Sequence, residues 1–300
     1  MFEDKEERTS VDSIIRTIYL CSECHATFCT TNSTSVSNCV LCGSSNITNQ
    51  DEVEEKKPFV IPFTKGIQDA QLDYRRKIRF NPLIPISFRK KKTVQSIQKV
   101  YLPAFLANVN VKGSTRFLGG EKEKIMKDKQ KCIETKKYDV LQNINVDYKN
   151  VLLNTFSGID DKLFNNICEC NYNNLKEFNI DLFKDSFYVV GDIAINEIAE
   201  KGRQRILKYS VNVARESVVH TLKKLEHDDL VASFSNTKEI LVPVYILNIS
   251  YKGKKYMYLM NGENGLSSFQ IPFGILEMVL FGTFCFAILF FISFLIAYFL

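Results

Sequence analysis

The sequence predicts an α+β protein: a small cysteine ribbon at the start, a mixed body with one long helix, and an apolar helix at the end. Three observations support this. Residues 21–42 read CSECHATFCTTNSTSVSNCVLC, with two Cys-x-x-Cys pairs separated by fourteen residues. The middle of the chain mixes period-2 apolar runs with stretches of helical spacing. From Met278 to Leu300 no residue is charged.

Residues 1–16 are a polar lead-in that lacks the apolar core of a signal peptide. Residues 17–50 hold the cysteine pairs Cys21/Cys24 and Cys39/Cys42. A tight turn between paired cysteines aims both thiolates at one point, and two such turns complete a tetrahedral shell for Zn²⁺. Gly43 follows the second pair, where the turn calls for a positive φ. Two disulfides or a redox pair are the competing readings. The absence of an export signal argues against the first, and the absence of a βαβ pattern around the pairs argues against the second. Nine cysteines, an odd number, also fit a reducing compartment better than a disulfide framework. Four thiolates close the coordination shell, so the expected ion is structural, with no open position for a reacting water.

Residues 51–57, DEVEEKK, read as a charged linker, and a body follows over 58–272. PFVIPF at 58–63 reads as a strand. Ile67, Ala70, Gln71, Tyr74 and Ile78 recur at helical spacing and predict an amphipathic helix ending before Pro82. Arg75, Arg76, Lys77 and Arg79 lie along that helix, and Arg89, Lys90, Lys91 and Lys92 follow it; together they form a candidate basic surface. Residues 100–113 read as a strand, 114–137 as a charged insertion or mobile loop, and 138–190 as a mixed, Asn-rich stretch. Residues 192–226 read as a long helix that Gly202 kinks or interrupts. Strands are expected at about 229–235, 239–251 and 254–261. LPAFLANVNVKG (102–113) aligns without a gap to VPVYILNISYKG (242–253), sharing Pro, Asn, Lys and Gly. Both read as strands ending in a Lys-Gly turn, and the body is compatible with two related halves.

The segment 275–300 is read as a transmembrane helix; at about 1.5 Å per residue it is long enough for a hydrocarbon core of roughly 30 Å. Nothing follows Leu300, so a single-pass, tail-anchored chain is expected. Lys252, Lys254 and Lys255 lie upstream, which by charge bias places the body and the ribbon on the cytoplasmic side of the cell membrane.

Charge and motifs narrow the function. Glu277 is the only charged residue beyond position 274, so the rest carries 39 basic and 33 acidic side chains, a mildly basic balance suited to an anionic lipid surface. Between 17 and 50 the only charged side chain is Glu23, which leaves the ribbon without an electrostatic footprint for phosphate. The chain has no Gly-x-x-x-x-Gly-Lys-Ser/Thr loop and no Gly-x-Ser-x-Gly elbow. His220 and His227 fall in or just after the long helix as exposed polar residues. Asp160/Asp161 and Asp228/Asp229 read as turn or helix-end pairs, and NGENG at 261–265 as a turn. The expectation is a non-enzymatic adaptor whose partners are the bilayer and a membrane protein. The alternative is a membrane-tethered nucleic-acid-binding accessory of replication or transcription.

The ribbon cysteines, VIPFTKGIQDA (60–70), VYLPAFLANVNVKG (100–113), VPVYILNISYKGKKYMYLMNGENG (242–265) and the terminal apolar segment occur in one order. In that order the chain resembles a bacterial family of transcription-factor-IIB-type zinc-ribbon membrane proteins, loosely labelled primosomal-helicase-like. The chain departs from the pattern at Tyr245, where a Trp is expected, and in the high charge of 114–137. The helicase label lacks a physical basis, because a helicase motor needs phosphate-binding loops. The resemblance implies a partner among stomatin-like (SPFH) membrane scaffolds and a role in envelope stress.

Overall fold

The computed structural model describes residues 17–30, 36–50, 58–89, 97–127, 130–179, 183, 186–220 and 222–299. The lead-in 1–16, the linker 51–57 and Lys90, Lys91 and Lys92 lie outside the described residues. In chain order the elements are β1 (Thr17–Cys21), β2 (Thr27–Thr30), β3 (Ile47–Gln50), β4 (Phe59–Val60), α1 (Ile67–Phe80), β5 (Gln98–Lys127) and β6 (Gln130–Asn154). They continue as α2 (Asp161–Asn165), β7 (Lys176–Glu177), β8 (Phe187–Val189), α3 (Ile195–Ser217), β9 (Leu222–Asp228), β10 (Val231–Tyr251), β11 (Lys254–Asn261), β12 (Ser267–Phe269) and α4 (Ile275–Phe299). The fold is mixed α+β, as expected.

The chain forms two compact units that interleave in sequence. The first comprises residues 1–103, 156–192 and 240–300; the second comprises 104–155 and 193–239.

In the first unit β1 lies between β2 and β3, antiparallel to both. The ribbon does not stand apart from the body behind a linker. β2 pairs antiparallel with β8 (Phe28↔Val189, Thr30↔Phe187), and the start of β5 pairs parallel with β8 (Val100↔Phe187). Phe28 and Val189 are fully buried at this seam, which satisfies an edge strand that an isolated ribbon would leave open. β10, β11 and β12 run antiparallel, and Lys252-Gly253 closes the β10–β11 hairpin with both residues at positive φ. The other Lys-Gly pair, Lys112-Gly113, makes no turn: β5 runs on through it, with Lys112 opposite Asn145.

Helix α1 fits its sequence pattern. Ala70, Tyr74 and Ile78 bury one face against Tyr245, Leu247, Ile249, Tyr258 and Met260 of β10 and β11. The Tyr258 hydroxyl donates to Asp73 Oδ2 at 2.8 Å, and Asp69 Oδ2 accepts from the Gly66 N–H at 2.9 Å as an N-terminal cap.

The NGENG segment is more than a turn. Glu263 is buried, and its carboxylate accepts from the Asn171 N–H (2.9 Å) and from Asn174 Nδ2 (3.1 Å). Asn261 is fully buried; its amide donates to Ile167 O at 2.7 Å, and its oxygen accepts from the Glu263 N–H at 2.8 Å. Thr64 N and Lys65 N donate to Gly262 O. These bonds fasten residues 64–65 and 167–174 to the β11–β12 connection.

The second unit corrects two sequence expectations. Residues 114–137 are not a loop: across the described residues they are the two arms of a β5–β6 hairpin whose register runs from Ser114↔Asn143 to Lys127↔Gln130. Lys/Glu alternation mimics a solvated loop by composition, yet it suits ribbon arms whose residues 122–124 and 133–139 are exposed; Lys136 and Glu123 pair at 2.8 Å. The long helix stops at Ser217, and Leu222–Asp228 is strand β9, antiparallel to β5 (Phe117↔Leu225). The spacing Val218, Leu222, Leu225 satisfies a helix face and a bulged strand equally well, and pairing with β5 decides it. Gly202 does not interrupt α3, which runs unbroken from Ile195 to Ser217. A Cβ there would approach Leu153 Cδ2 to 2.8 Å, so the glycine lets the helix sit close on β6. His220 is partly covered: it stacks on Tyr138 with centroids 4.3 Å apart, and Nδ1 lies 3.0 Å from Glu121 Oε1.

Candidate metal centre

The centre begins where β1 ends. Cys21 closes β1, and the chain turns so that the His25 N–H donates to Cys21 O at 2.9 Å while the Cys21 N–H donates to Ala26 O at 3.1 Å. The second knuckle repeats the pattern: the Gly43 N–H donates to Cys39 O at 2.9 Å, and the Cys39 N–H to Ser44 O at 2.7 Å. The residue after each pair takes positive φ, 54° at His25 and 75° at Gly43. The sequence points to Gly43 for this role. It hides the same demand at His25, because histidine does not announce a left-handed position.

The two turns bring all four thiols together. Cys21 Sγ lies 3.6 Å from Cys42 Sγ, and Cys24 Sγ lies 3.6 Å from Cys39 Sγ. All four sulfurs fall within 4.8 Å of one another. A tetrahedral ion with sulfur ligands at about 2.3 Å needs neighbouring sulfurs about 3.8 Å apart, so the set fits such an ion with little adjustment. Cys21 and Cys39 are buried; Cys24 and Cys42 are half-buried. Among the cysteines described none is in a disulfide.

Proton sharing shows the same crowding. A hydrogen bond shared between Cys24 and Cys39 holds the Cys39 thiol down at about 5 and pushes Cys24 up. Burial pushes Cys42 up to about 11. Four thiolates at this spacing repel one another, and a divalent cation between them removes the repulsion.

A cavity of about 240 Å³ opens beside Cys24 and Cys42. Lys255 is the one cation and Asp160 the one carboxylate among its lining residues. Asn248 reaches from β10 to donate to Val40 O at 3.4 Å, tying the second knuckle to the sheet. Asp160 is engaged as the N-cap of α2, accepting from Lys162 N and Leu163 N, which agrees with its reading as a helix-end residue.

Of the described basic candidates, two are engaged locally. Lys77 is turned inward to donate to Ser267 O at 2.8 Å. Arg89 clasps its own loop, with Nη2 donating to Asn81 O (2.8 Å) and Ile84 O (3.1 Å). Arg75, Arg76 and Arg79 remain exposed along α1.

α4 spans 25 residues, none of them buried. Among the described residues it is the one helix long and apolar enough to cross a membrane.

No family model matches the chain, and no solved structure matches it. A protein of Bacillus subtilis strain 168 with the name "Uncharacterized protein YdjG" is 24% identical over 225 residues, covering 69% of this chain and 61% of that relative. The chain thus spans about three-fifths of the length of the relative it matches.

Proposed function

We propose that this protein is a non-enzymatic, membrane-anchored adaptor. Its Zn²⁺-loaded ribbon and the sheet joined to it dock a membrane-protein partner at the cytoplasmic face. The observation that carries this reading is the presence, in one compact unit, of a closed four-sulfur centre and a fully exposed apolar helix of 25 residues. Four cysteine ligands suit zinc as a structural ion and leave no position for a substrate or water. Cys21, Cys24, Cys39 and Cys42 would hold it, and its role is to fix the two knuckles. The lysines at 252, 254 and 255, upstream of α4, favour a cytoplasmic unit by the positive-inside bias. The resemblance to zinc-ribbon membrane proteins names stomatin-like scaffolds as the class of partner to test first.

The test is a mild-detergent affinity purification from native membranes, with zinc and nucleic acid quantified in the same eluate. The adaptor reading expects about one zinc per chain, as a single four-sulfur site requires, with a co-purifying membrane protein. Abundant nuclease-sensitive material and no protein partner would move the assignment to the nucleic-acid accessory. Removal of residues 275–300 should release the protein into the soluble fraction; persistence in salt-washed membranes would refute anchoring by α4.

A further inference from the structure

We infer that the loop Asn81–Arg89 and the last turn of α1 form a second membrane contact, seated in the headgroup layer of the leaflet that α4 enters and selective for anionic lipid. The inference rests on α4 being the membrane helix. The start of α4 is hydrogen-bonded to this loop: the Gly274 N–H donates to Leu83 O at 3.1 Å, and the Ile86 N–H donates to Glu277 Oε1 at 3.3 Å. Glu277 is the only charge in α4, and the loop caps it where the apolar run begins. The loop is therefore held at the level where the helix would enter the bilayer.

The loop is also rigid in a directed way. Ile84 and Phe88 are fully buried in the α1–β10–β11 core, and the Arg89 clasp and the Ser87–Tyr251 hydrogen bond (2.6 Å) fix the backbone between them. Between the buried Pro85 and Phe88 the turn leaves Ile86 facing outward at 68% exposure, and Phe80 at the end of α1 stands at 74%. Scattered exposed apolar residues are ordinary, but two held outward beside the foot of a membrane helix are not. Arg75, Arg76 and Arg79 share the outer face of α1, and the Arg79 guanidinium lies 5.9 Å from the centre of the Phe80 ring. The acids of α1 are engaged elsewhere, Asp69 at its own N-terminus and Asp73 with Tyr258. Aromatic and apolar tips flanked by arginines suit an interface of acyl chains under phosphate. A protein partner over the same patch is the competing occupant; continuity with α4 favours lipid.

The chain has no tryptophan, so single tryptophans report cleanly. The full-length protein carrying Phe80→Trp, Ile86→Trp or Phe284→Trp is reconstituted into vesicles of phosphatidylcholine with phosphatidylglycerol, with lipids brominated at shallow or deep positions. Tryptophan at 80 and at 86 should emit further to the blue than in water, resist aqueous iodide, and be quenched best by shallow bromines. Tryptophan at 284 should be quenched best by deep bromines. Quenching at 284 without quenching at 80 and 86 overturns this inference alone and leaves the patch to a protein partner. Loss of quenching at 284 overturns the anchor on which it rests. Replacing Arg75, Arg76 and Arg79 with Gln should weaken quenching at 80 in the anionic vesicles; unchanged quenching, or equal quenching in phosphatidylcholine alone, would remove the anionic selectivity.

Discussion

The four-cysteine centre and the Asn261–Gly265 turn both fasten segments distant in sequence, by opposite means. The centre converges Cys21, Cys24, Cys39 and Cys42 on one point through their sulfurs, 3.6 Å apart in two pairs, on turns that backbone bonds brace. The turn gathers residues 64–65 and 167–174 largely through backbone groups, with Glu263 and Asn261 as the side chains that satisfy them. On the proposed reading the centre draws its stability from a bound cation; the turn is complete in itself. One is all-or-none, the other is graded across several bonds. A metal concentrates stabilisation in one place, where losing any ligand loses everything, whereas a hydrogen-bond cluster distributes it.

The largest effect should follow from breaking the centre. Cys39→Ser is expected to abolish stoichiometric zinc and to unfold the ribbon through the β2–β8 seam, since structural zinc in small sites is worth about 10–16 kcal/mol. Metal analysis together with amide exchange at Phe28 and Val189 checks this. Retained zinc with unchanged protection would show that three sulfurs suffice. The pH dependence follows from the thiols. Cys42 (about 11) and Cys24 (raised) carry protons at neutral pH, and Cys39 (about 5) does not. Zinc binding at pH 7 must therefore expel at least the protons of Cys24 and Cys42, and affinity should fall as the pH is lowered. Titration calorimetry in buffers of different ionisation enthalpy counts the protons; a count near zero would contradict the pairing of Cys24 with Cys39.

A smaller, graded loss should mark the turn. Glu263→Ala strands the Asn171 N–H and the Asn174 amide and should cost about 3 kcal/mol. Glu263→Gln keeps one acceptor and should cost about 1 kcal/mol. Urea unfolding of the zinc-loaded protein measures both. If the two variants cost the same, the carboxylate is not the fastening group, and the contrast with the metal centre loses its basis.

The difference between the two regions also explains what was legible in the sequence. The centre is written locally: two spacings and one glycine announce it. Helix α1 is legible for the same reason, since Ala70, Tyr74 and Ile78 keep one period. The turn reads only as NGENG, because the partners of Glu263 lie about ninety residues upstream and nothing near it marks burial. The charged hairpin is not legible, because its composition is that of a solvated loop and its pairing is invisible until β5 and β6 meet. The end of α3 is not legible, because Leu222 and Leu225 fit both periods and only pairing with β5 decides between them.

The smallest effect tests whether the two knuckles are equivalent. His25 and Gly43 fill the same left-handed position, yet only one is the residue that geometry prefers. An L-residue held there costs about 1–2 kcal/mol, part of which glycine returns through its greater freedom in the unfolded chain. Gly43→Ala should therefore destabilise the loaded ribbon by about 1 kcal/mol, and His25→Gly should stabilise it by somewhat less. Because folding of such a ribbon is coupled to its metal, the strain should surface as affinity: roughly fivefold weaker zinc in the first variant and a gain in the second, read by chelator competition. Opposite signs would establish that the knuckles are mechanically alike and that His25 is a tolerated strain. If His25→Gly weakens zinc instead, the imidazole contributes something to the first knuckle that backbone geometry alone does not supply.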